Sequence, residues 1–245
     1  MTDGPTTLAI DVGGSGLKAV VLAPDGEMLS ERARLDTPYP CTPAVLLDEL
    51  AELAATQPEH DRVSVGFPGA VRRGHVRHVT AFLRPAPGAD PDPELRKQWF
   101  GWDIESALAK RFGKPVRVAN DADVQGLAVI AGKGVEMVIT LGTGFGTGLY
   151  QDGRLAPHLE LSHHAFRKGE TYDEHLGNAA RKRVGNARWN KRVRRAIRSL
   201  RALTTFDHLY IGGGNAKKID FELDPDVTVV SNDAGIRGGI ALWQD

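Results

Sequence analysis

The sequence predicts an α/β protein with mixed sheets, arranged as two related lobes about a cleft. Three observations lead there. Short apolar runs of strand length alternate with segments of helical periodicity along the chain. A strand, a glycine turn and a second strand occur in succession twice, at 10–20 and at 139–149. No Pro/Gly/Ser-rich linker separates the halves, which favours closely joined lobes over separate beads. The expected boundary lies near Val118, giving lobes 1–118 and 119–245.

The elements follow in order. Residues 7–12 read as a strand ending in a glycine turn. Residues 17–23 and 28–35 read as two more strands, joined at Pro24-Asp25-Gly26, a good hairpin signal. Val45, Leu46, Leu50, Leu53 and Ala54 recur at helical spacing over 43–55, and Pro43 suits a first helical turn. Residues 62–67 and 74–79 are short strand candidates. The stretch 82–94 holds Pro85, Pro87, Pro91 and Pro93 and is expected to be a loop with freedom to move. A helix over 103–112, a strand over 116–119 and a helix of small residues over 122–131 come next. Residues 135–141 and 145–151 form a hairpin around a second glycine-rich turn. Residues 188–204 make a strong helix, with Trp189, Val193, Ile197 and Leu200 on one face and arginines opposite. Strands at 208–211 and 227–230 and a helix over 234–243 complete the chain.

Composition narrows the class. At 245 residues the chain can bury a real core as one large domain or two small ones. Its 41% hydrophobic and 25% charged residues are those of a soluble globular protein. No apolar run approaches the roughly 20 residues that span a bilayer, and the polar first residues lack the pattern of a signal peptide. A single cysteine, Cys41, excludes an internal disulfide framework and a cysteine-rich zinc site, and fits a reducing, cytoplasmic location. Thirty-one basic residues balance thirty-one acidic ones, so overall charge argues for neither nucleic acid nor membrane. The distribution is uneven, however: residues 181–201 hold ten Lys/Arg and no Asp/Glu.

Four motifs carry chemistry. Asp11-Val12-Gly13-Gly14-Ser15-Gly16-Leu17-Lys18 is a tight turn between strands. Its backbone N–H groups can hold phosphate oxygens, Asp11 can hold a magnesium ion directly or through water, and Lys18 adds positive charge. An ordinary hairpin with an acidic residue reads the same way. No P-loop pattern is present, so P-loop enzymes are excluded. Thr140 to Gly148 alternates glycine with threonine between strands and forms a second such turn, although bare glycine-rich hairpins are common. Gly212-Gly213-Gly214-Asn215 follows a strand, and the glycines allow a phosphate or flat ring to approach the backbone; a tight strand-to-helix turn is the alternative. Asn120-Asp121 stands at a strand-to-helix junction. Asp121 can take a proton from a sugar hydroxyl and Asn120 can orient that hydroxyl; both are also favoured helix caps, and the two readings are compatible.

Taken together, the two glycine turns, the Gly-Gly-Gly turn and their order resemble the sugar kinase and actin-like ATPase superfamily, with its two-lobed, ribonuclease H-like fold. Gly66-Phe67-Pro68-Gly69, Asn120-Asp121 and Glu160-x-x-His163 resemble the ROK family within it, most closely its polyphosphate glucokinases. The resemblance implies roles. Asp11, Gly13, Gly14 and Ser15 match the first phosphate motif, Thr143 and Gly144 the second, and Gly213 and Gly214 the nucleotide-side turn. Asp121 matches the catalytic base and Asn120 its sugar-binding neighbour. Glu160 and His163 match residues that hold sugar hydroxyls, and Pro68 and Gly69 a turn lining the sugar pocket. It implies Mg²⁺ as cofactor, with polyphosphate, ATP or both as donor, and a homodimer, which is common among relatives. Many relatives place zinc on the histidine matching His163 with a later cysteine cluster; this chain has no such cluster, so no zinc is expected. It also differs over 82–98, where relatives carry a shorter segment with an asparagine near the sugar, and at Ser162, where they carry glycine.

The basic run 181–201 is expected to bind a polyanion, because uncompensated like charges repel one another. Polyphosphate along Arg188, Lys191, Arg192 and Arg195 is one reading. A solvated helix face near Glu170, Asp173 and Glu174 is another. Nucleic acid is a third, against which the scarcity of interleaved aromatics counts. The expected function is phosphoryl transfer to a hexose, at the 6-hydroxyl of glucose. The alternative is a non-catalytic sugar sensor or regulator of the ROK type, although only a few residues precede Leu8 and leave no room for a DNA-binding segment.

Overall fold

A computed structural model describes residues 4–86, 88–231 and 236–244. The chain divides into two compact units, one formed by residues 1–128 with 236–245 and the other by 129–235. None of the described helices is long and apolar enough to cross a membrane.

In the first unit, strands β1 (Thr7–Val12) and β2 (Leu17–Leu22) form an antiparallel hairpin, and β3 (Ala33–Leu35) adds to β2. Helix α1 (Pro43–Ala55) carries the chain to β4 (Arg62–Phe67), which lies parallel to β1. A small hairpin of β5 (Gly69–Arg72) and β6 (His75–Val79), then α2 (Pro93–Trp99) and α3 (Ile104–Phe112), precede β7 (Val116–Asn120), parallel to β4. Helix α4 (Asp121–Leu127) follows directly. The sheet order is β3-β2-β1-β4-β7.

Strand alternation sets the two faces of this sheet. Leu8, Ile10, Val12, Val63, Val65 and Phe67 point into the core shared with Leu46, Leu50 and Leu53 of α1. Ala9, Val20 and Leu22 face the other way, onto Ile240 of the C-terminal segment. Thr42 caps α1 by accepting from Val45 N–H, with Pro43 in the first turn as its fixed φ favours.

The second unit repeats the pattern. Strand β8 (Val135–Leu141) pairs antiparallel with β9 (Phe145–Gln151), and β10 (Arg154–Leu155) extends the hairpin. A clip of β11 (Ala165–Arg167) and β12 (Glu170–Thr171) leads into α5 (Tyr172–Leu176), α6 (Asn178–Val184) and the long α7 (Asn186–Thr204). Strand β13 (His208–Gly212) lies parallel to β8 and β14 (Val227–Val229) parallel to β13, giving β10-β9-β8-β13-β14. Each sheet is thus an antiparallel three-strand meander followed by two parallel strands. Trp189, Val193, Ile197 and Leu200 of α7 are buried, as their spacing predicts, and Trp189 Nε1 donates to the Leu176 carbonyl at 2.8 Å. Helix α8 (Gly238–Ala241) returns to the first unit, where a Cβ on Gly239 would lie 3.1 Å from Ser64 and 3.2 Å from Ala9.

Several expectations differ from this arrangement. The units divide after Ala128, not near Val118, because β7 pairs with β4 and α4 packs on β4 and α8. Of the strand expected at 28–35 only β3 forms. The Ser30 hydroxyl takes the Val21 N–H at 2.9 Å, so a side chain replaces the ladder there. The proline-rich stretch is not simply a loop. Asp92 caps α2 with Pro93 in its first turn, Asp92 N–H closes onto the Leu83 carbonyl at 2.6 Å, and Phe82, Leu83, Leu95 and Trp99 are buried. Pro87 lies outside the described residues. Helix α4 ends at Leu127, short of Ala131, whose N–H goes to Glu136 instead. Among the described residues the last helix is a single turn, Gly238–Ala241; Ala234 lies outside them.

Candidate active site

In the first unit the candidate side chains gather at the carboxyl ends of the parallel strands, where open α/β sheets bind ligands. Asp11, the last residue but one of β1, is in register with Gly66 on β4, and Phe67 pairs with Asn120 at the end of β7. A Cβ at Gly66 would stand 3.4 Å from Asp121 Cα, so the bare glycine admits the first turn of α4 over β4. Asp121 is the first residue of α4, half-buried, with Oδ1 accepting from Ala122 N–H at 2.9 Å.

Asn120, expected beside the sugar, is occupied as a strut. Its Oδ1 accepts from Ala122 and Asp123 N–H at 2.9 and 3.4 Å, and its Nδ2 donates to the Phe67 and Gly69 carbonyls at 3.5 and 3.2 Å. The amide therefore ties the Pro68-Gly69 turn to the start of α4 and fixes Asp121. Gly69 also has a structural reason to be glycine, since a Cβ there would meet the His78 carbonyl at 2.2 Å.

The first glycine turn is gripped from behind. Thr37 Oγ1 donates to the Gly13 carbonyl at 2.6 Å and Tyr39 OH to the Gly14 carbonyl at 2.7 Å. Gly14 and Ser15 are exposed, and their N–H groups donate to nothing among the described residues. Lys18 is already engaged, with Nζ 2.9 Å from Asp11 Oδ2.

The second unit holds its turn in the same manner. Asn178 N–H donates to the Gly142 and Thr143 carbonyls at 3.1 Å each, and Asn215 donates from its backbone to Leu141 and from Nδ2 to Gly142. Gly213, at φ +90°, lies directly against Leu141, and a Cβ there would overlap its backbone at 2.4 Å. Thr143, Gly144, Gly213 and Gly214 are thus brought together. The N–H groups of Thr143 and Gly144 are uncommitted among the described residues. Among the described residues, chain neighbours aside, nothing lies within 4 Å of a Cβ built on Gly142 or Gly214, so packing gives no reason for glycine at either. Bare backbone facing open space suits a ligand's close approach.

Next to this turn sit Glu160, His163 and a residue that the sequence offered only as a possible counter-charge to the basic helix, Asp173. Asp173 Oδ1 accepts the Phe145 N–H at 2.8 Å, and its own N–H donates to the Ser162 carbonyl at 3.0 Å. Burial raises the Asp173 carboxyl; the Phe145 N–H and His163 oppose that, while Glu174 and Glu160 add to it. Burial would raise Glu160 as well, but hydrogen bonds from His158 and Ser162, with charge on His158 and His163, outweigh it and hold the group down at about 2. A depressed carboxyl adds stability above its unfolded value and loses it as pH falls through the folded value. The stability margin of wild type over Glu160→Gln should thus be full above pH 4.5 and shrink toward pH 2. Urea melts of both proteins at several acid pH values check this; a margin flat across that range contradicts it.

Among the described residues no three His, Cys, Asp or Glu side chains converge as a metal-binding group. Asp11 stands beside the first glycine turn, and one carboxylate plus donor phosphates is a set that Mg²⁺ accepts. On α7, Arg188, Lys191, Arg194, Arg195 and Arg198 are exposed, and none forms an ion pair among the described residues. Arg192 is half-buried and donates to the His175 carbonyl. The acids expected to offset the helix do so only in part: Glu170 pairs with His175 while its charge reaches Arg192, Asp173 accepts from Phe145, and Glu174 sits in the capping box of Thr171 within reach of the Arg183 charge. Among the described residues Arg201 is the basic residue of α7 that forms ion pairs, with Asp224 and Asp226.

Comparison with known proteins agrees with this geometry. The model of the ROK family matches residues 7–157. A polyphosphate glucokinase of Mycobacterium tuberculosis (strain CDC 1551 / Oshkosh) is 31% identical over 232 residues, covering 89% of this chain and 83% of its own. The crystal structure of the inorganic polyphosphate/ATP-glucomannokinase from Arthrobacter sp. strain KM superposes with a TM-score of 0.79 at 31% identity, covering 97% of both chains. A ROK family glucokinase from Streptomyces griseus, solved with glucose and AMPPNP, shares the fold with a TM-score of 0.69 at 19% identity, covering 98% of this chain and 99% of its own. The repeated five-stranded sheets are those of the actin-like ATPase fold. With two such sheets, a glycine turn in each, and relatives of this similarity along most of its length, the chain belongs to the ROK family.

Proposed function

We propose that this protein is a hexose kinase that transfers a phosphoryl group from polyphosphate, ATP or both to the 6-hydroxyl of glucose. One observation carries the reading: in each unit a glycine turn is held by its carbonyls and leaves two adjacent N–H groups uncommitted, at Gly14-Ser15 and at Thr143-Gly144. Such paired N–H groups suit phosphate oxygens. The polyphosphate glucokinase and glucomannokinase relatives supply the acceptor and donor classes.

Phosphoryl transfer needs positioning and charge neutralisation more than covalent chemistry. Asp121 accepts the proton of the attacking hydroxyl, and Asn120 holds it in place through the α4 cap. Glu160 stays ionised at neutral pH and accepts hydrogen bonds from sugar hydroxyls, with His163 as a further partner. Pro68 and Gly69 shape the turn beside Asn120. Gly213 and Gly214 give the donor access to backbone beside the second turn. Asp11 would hold Mg²⁺ together with the donor phosphates, and the ion would supply charge neutralisation there. A single cysteine, Cys41, fits action in the reducing cytoplasm.

The exposed stripe of Arg188, Lys191 and Arg195, with Arg192 beside it, serves as the track for the polyphosphate chain. Polyanion binding to such a stripe weakens with salt as counterions compete. The test is a panel of hexoses with ATP and with polyphosphate, at low and high salt, for wild type and an Arg188→Glu/Lys191→Glu/Arg195→Glu variant. The variant should raise the polyphosphate KM about tenfold or more at low salt and flatten its salt dependence, while the ATP KM stays near wild type. Equal effects on both donors would remove the track. No product with any donor, despite sugar binding, would favour a sensor.

A further inference from the structure

We propose that Trp243 is a positioning residue for Asp121: it anchors residues 236–244 to the face of the sheet on which α4 lies, and so holds the helix that Asp121 begins. This rests on the kinase reading above. Strand alternation puts Arg62, Ser64 and Gly66 of β4 on one face. A Cβ on Gly66 would stand 3.4 Å from Asp121 Cα. Ser64, 1% exposed, donates from Oγ to the Gly239 carbonyl at 2.5 Å and accepts the Trp243 Nε1–H at 2.8 Å. The Arg62 guanidinium lies over the Trp243 ring, 4.9 Å from its centroid. Arg117, across from Ser64 on β7, lies over the same ring at 4.8 Å and donates to the Leu242 carbonyl.

Trp243 thus gathers three side chains from two adjacent strands. Burial, then the charge of Arg117, lowers the Arg62 guanidinium, so the two cations sense each other; the negative face of the ring offsets that repulsion. The hold reaches α4 through backbone. A Cβ on Gly238 would overlap the Val124 carbonyl oxygen at 1.7 Å, and a Cβ on Gly239 would stand 3.1 Å from Ser64 Cβ and 3.2 Å from Ala9 Cβ. Helix α8 therefore meets α4 backbone to backbone, and a shift of one is passed directly to the other. With seven residues, α4 is too short to keep its place by helix propensity and depends on what packs against it. Trp243 touches neither substrate in this account; it acts through α8 and α4.

The test compares wild type, Trp243→Leu and Trp243→Phe by amide hydrogen exchange over α4, thermal melts and steady-state kinetics. Phenylalanine keeps an aromatic face for the two arginines and loses the N–H to Ser64; leucine keeps neither. Leucine should speed exchange over residues 124–127 by about tenfold. It should lower kcat by about tenfold, as displacement of a catalytic group does, while the hexose and donor KM stay within about threefold of wild type. Phenylalanine should restore most of both losses. A leucine variant that melts lower yet keeps the wild-type kcat overturns the proposal, since Trp243 would then stabilise without positioning. Exchange over α4 at the wild-type rate overturns it, as does a phenylalanine variant as impaired as leucine. Should leucine fail to fold, Arg62→Met removes one of the two cations and carries the same test, with effects of about threefold. If exchange responds as stated but wild type transfers no phosphate to any hexose, the anchor stands and the kinase reading falls.

Discussion

Replacing Asp121 by asparagine is expected to lower kcat by about 10²–10⁴-fold, the range for loss of a positioned general base. The fold should persist. The carboxylate Oδ1 accepts from Ala122 N–H, and an asparagine oxygen can accept the same bond. Asn120, not Asp121, carries the α4 cap and the ties to Phe67 and Gly69. The melting temperature should thus move by only about 2 °C, and hexose binding should survive. Activity assays and thermal melts on one preparation separate the two effects. Turnover within about threefold of wild type would mean that the group made no transition-state interaction and would remove Asp121 as the base.

The largest expected effect on stability lies far from the chemistry. Glu136 is 1% exposed, yet its carboxylate accepts four hydrogen bonds: from the N–H groups of Ala131, Gly132 and Lys133 and from Tyr210 OH. Those bonds stop the chain after α4 and aim it into β8. Burial, then hydrogen bonding and charge from Glu136, push the Tyr210 hydroxyl up to about 12. Removing one side chain leaves several donors without acceptors at once. Glu136→Ala should therefore cost about 3–5 kcal/mol, while Tyr210→Phe should cost about 1–2 kcal/mol. Glu136→Gln should cost nearly as much as alanine, because its amide N–H₂ would face donors. Urea unfolding of the three variants and of the Glu136→Ala/Tyr210→Phe double variant checks this, with the double falling short of the sum. A loss under about 1 kcal/mol for Glu136→Ala would contradict the four-bond account.

Much of the fold was legible from periodicity. The hairpins β1–β2 and β8–β9, helix α1 and the apolar face of α7 follow from residue spacing alone, and the duplicated glycine turns announced the repeated sheets. The pieces not anticipated are short: β10, β11 and β12 have two or three residues, too few for a period to appear. Helix α2 was hidden by prolines that mark its start, since Pro93 occupies the first turn while Leu95 and Trp99 bury its inner face.

The site divides along a similar line. Asp121 and the glycine turns stood out because their chemistry is local to a motif, and Glu160 through the resemblance of Glu160-x-x-His163 to the ROK family. Thr37, Tyr39, Asn178 and Asn215 did not, because each acts on a backbone carbonyl distant in sequence. The two structural duties of Asn120 were only half visible, since its cap is local but its bonds to Phe67 and Gly69 are not. The neutralising role offered to Glu170, Asp173 and Glu174 holds in part: Glu170 acts on Arg192 and Glu174 on Arg183, while His175 and backbone donors also hold these acids.

The account is tested most directly by phosphorus NMR of wild type mixed with Mg²⁺, glucose and, in separate tubes, ATP or polyphosphate. A growing resonance of glucose 6-phosphate, lost in Asp121→Asn, is the predicted result. Glucose bound to the protein with no sugar phosphate formed from either donor would contradict it.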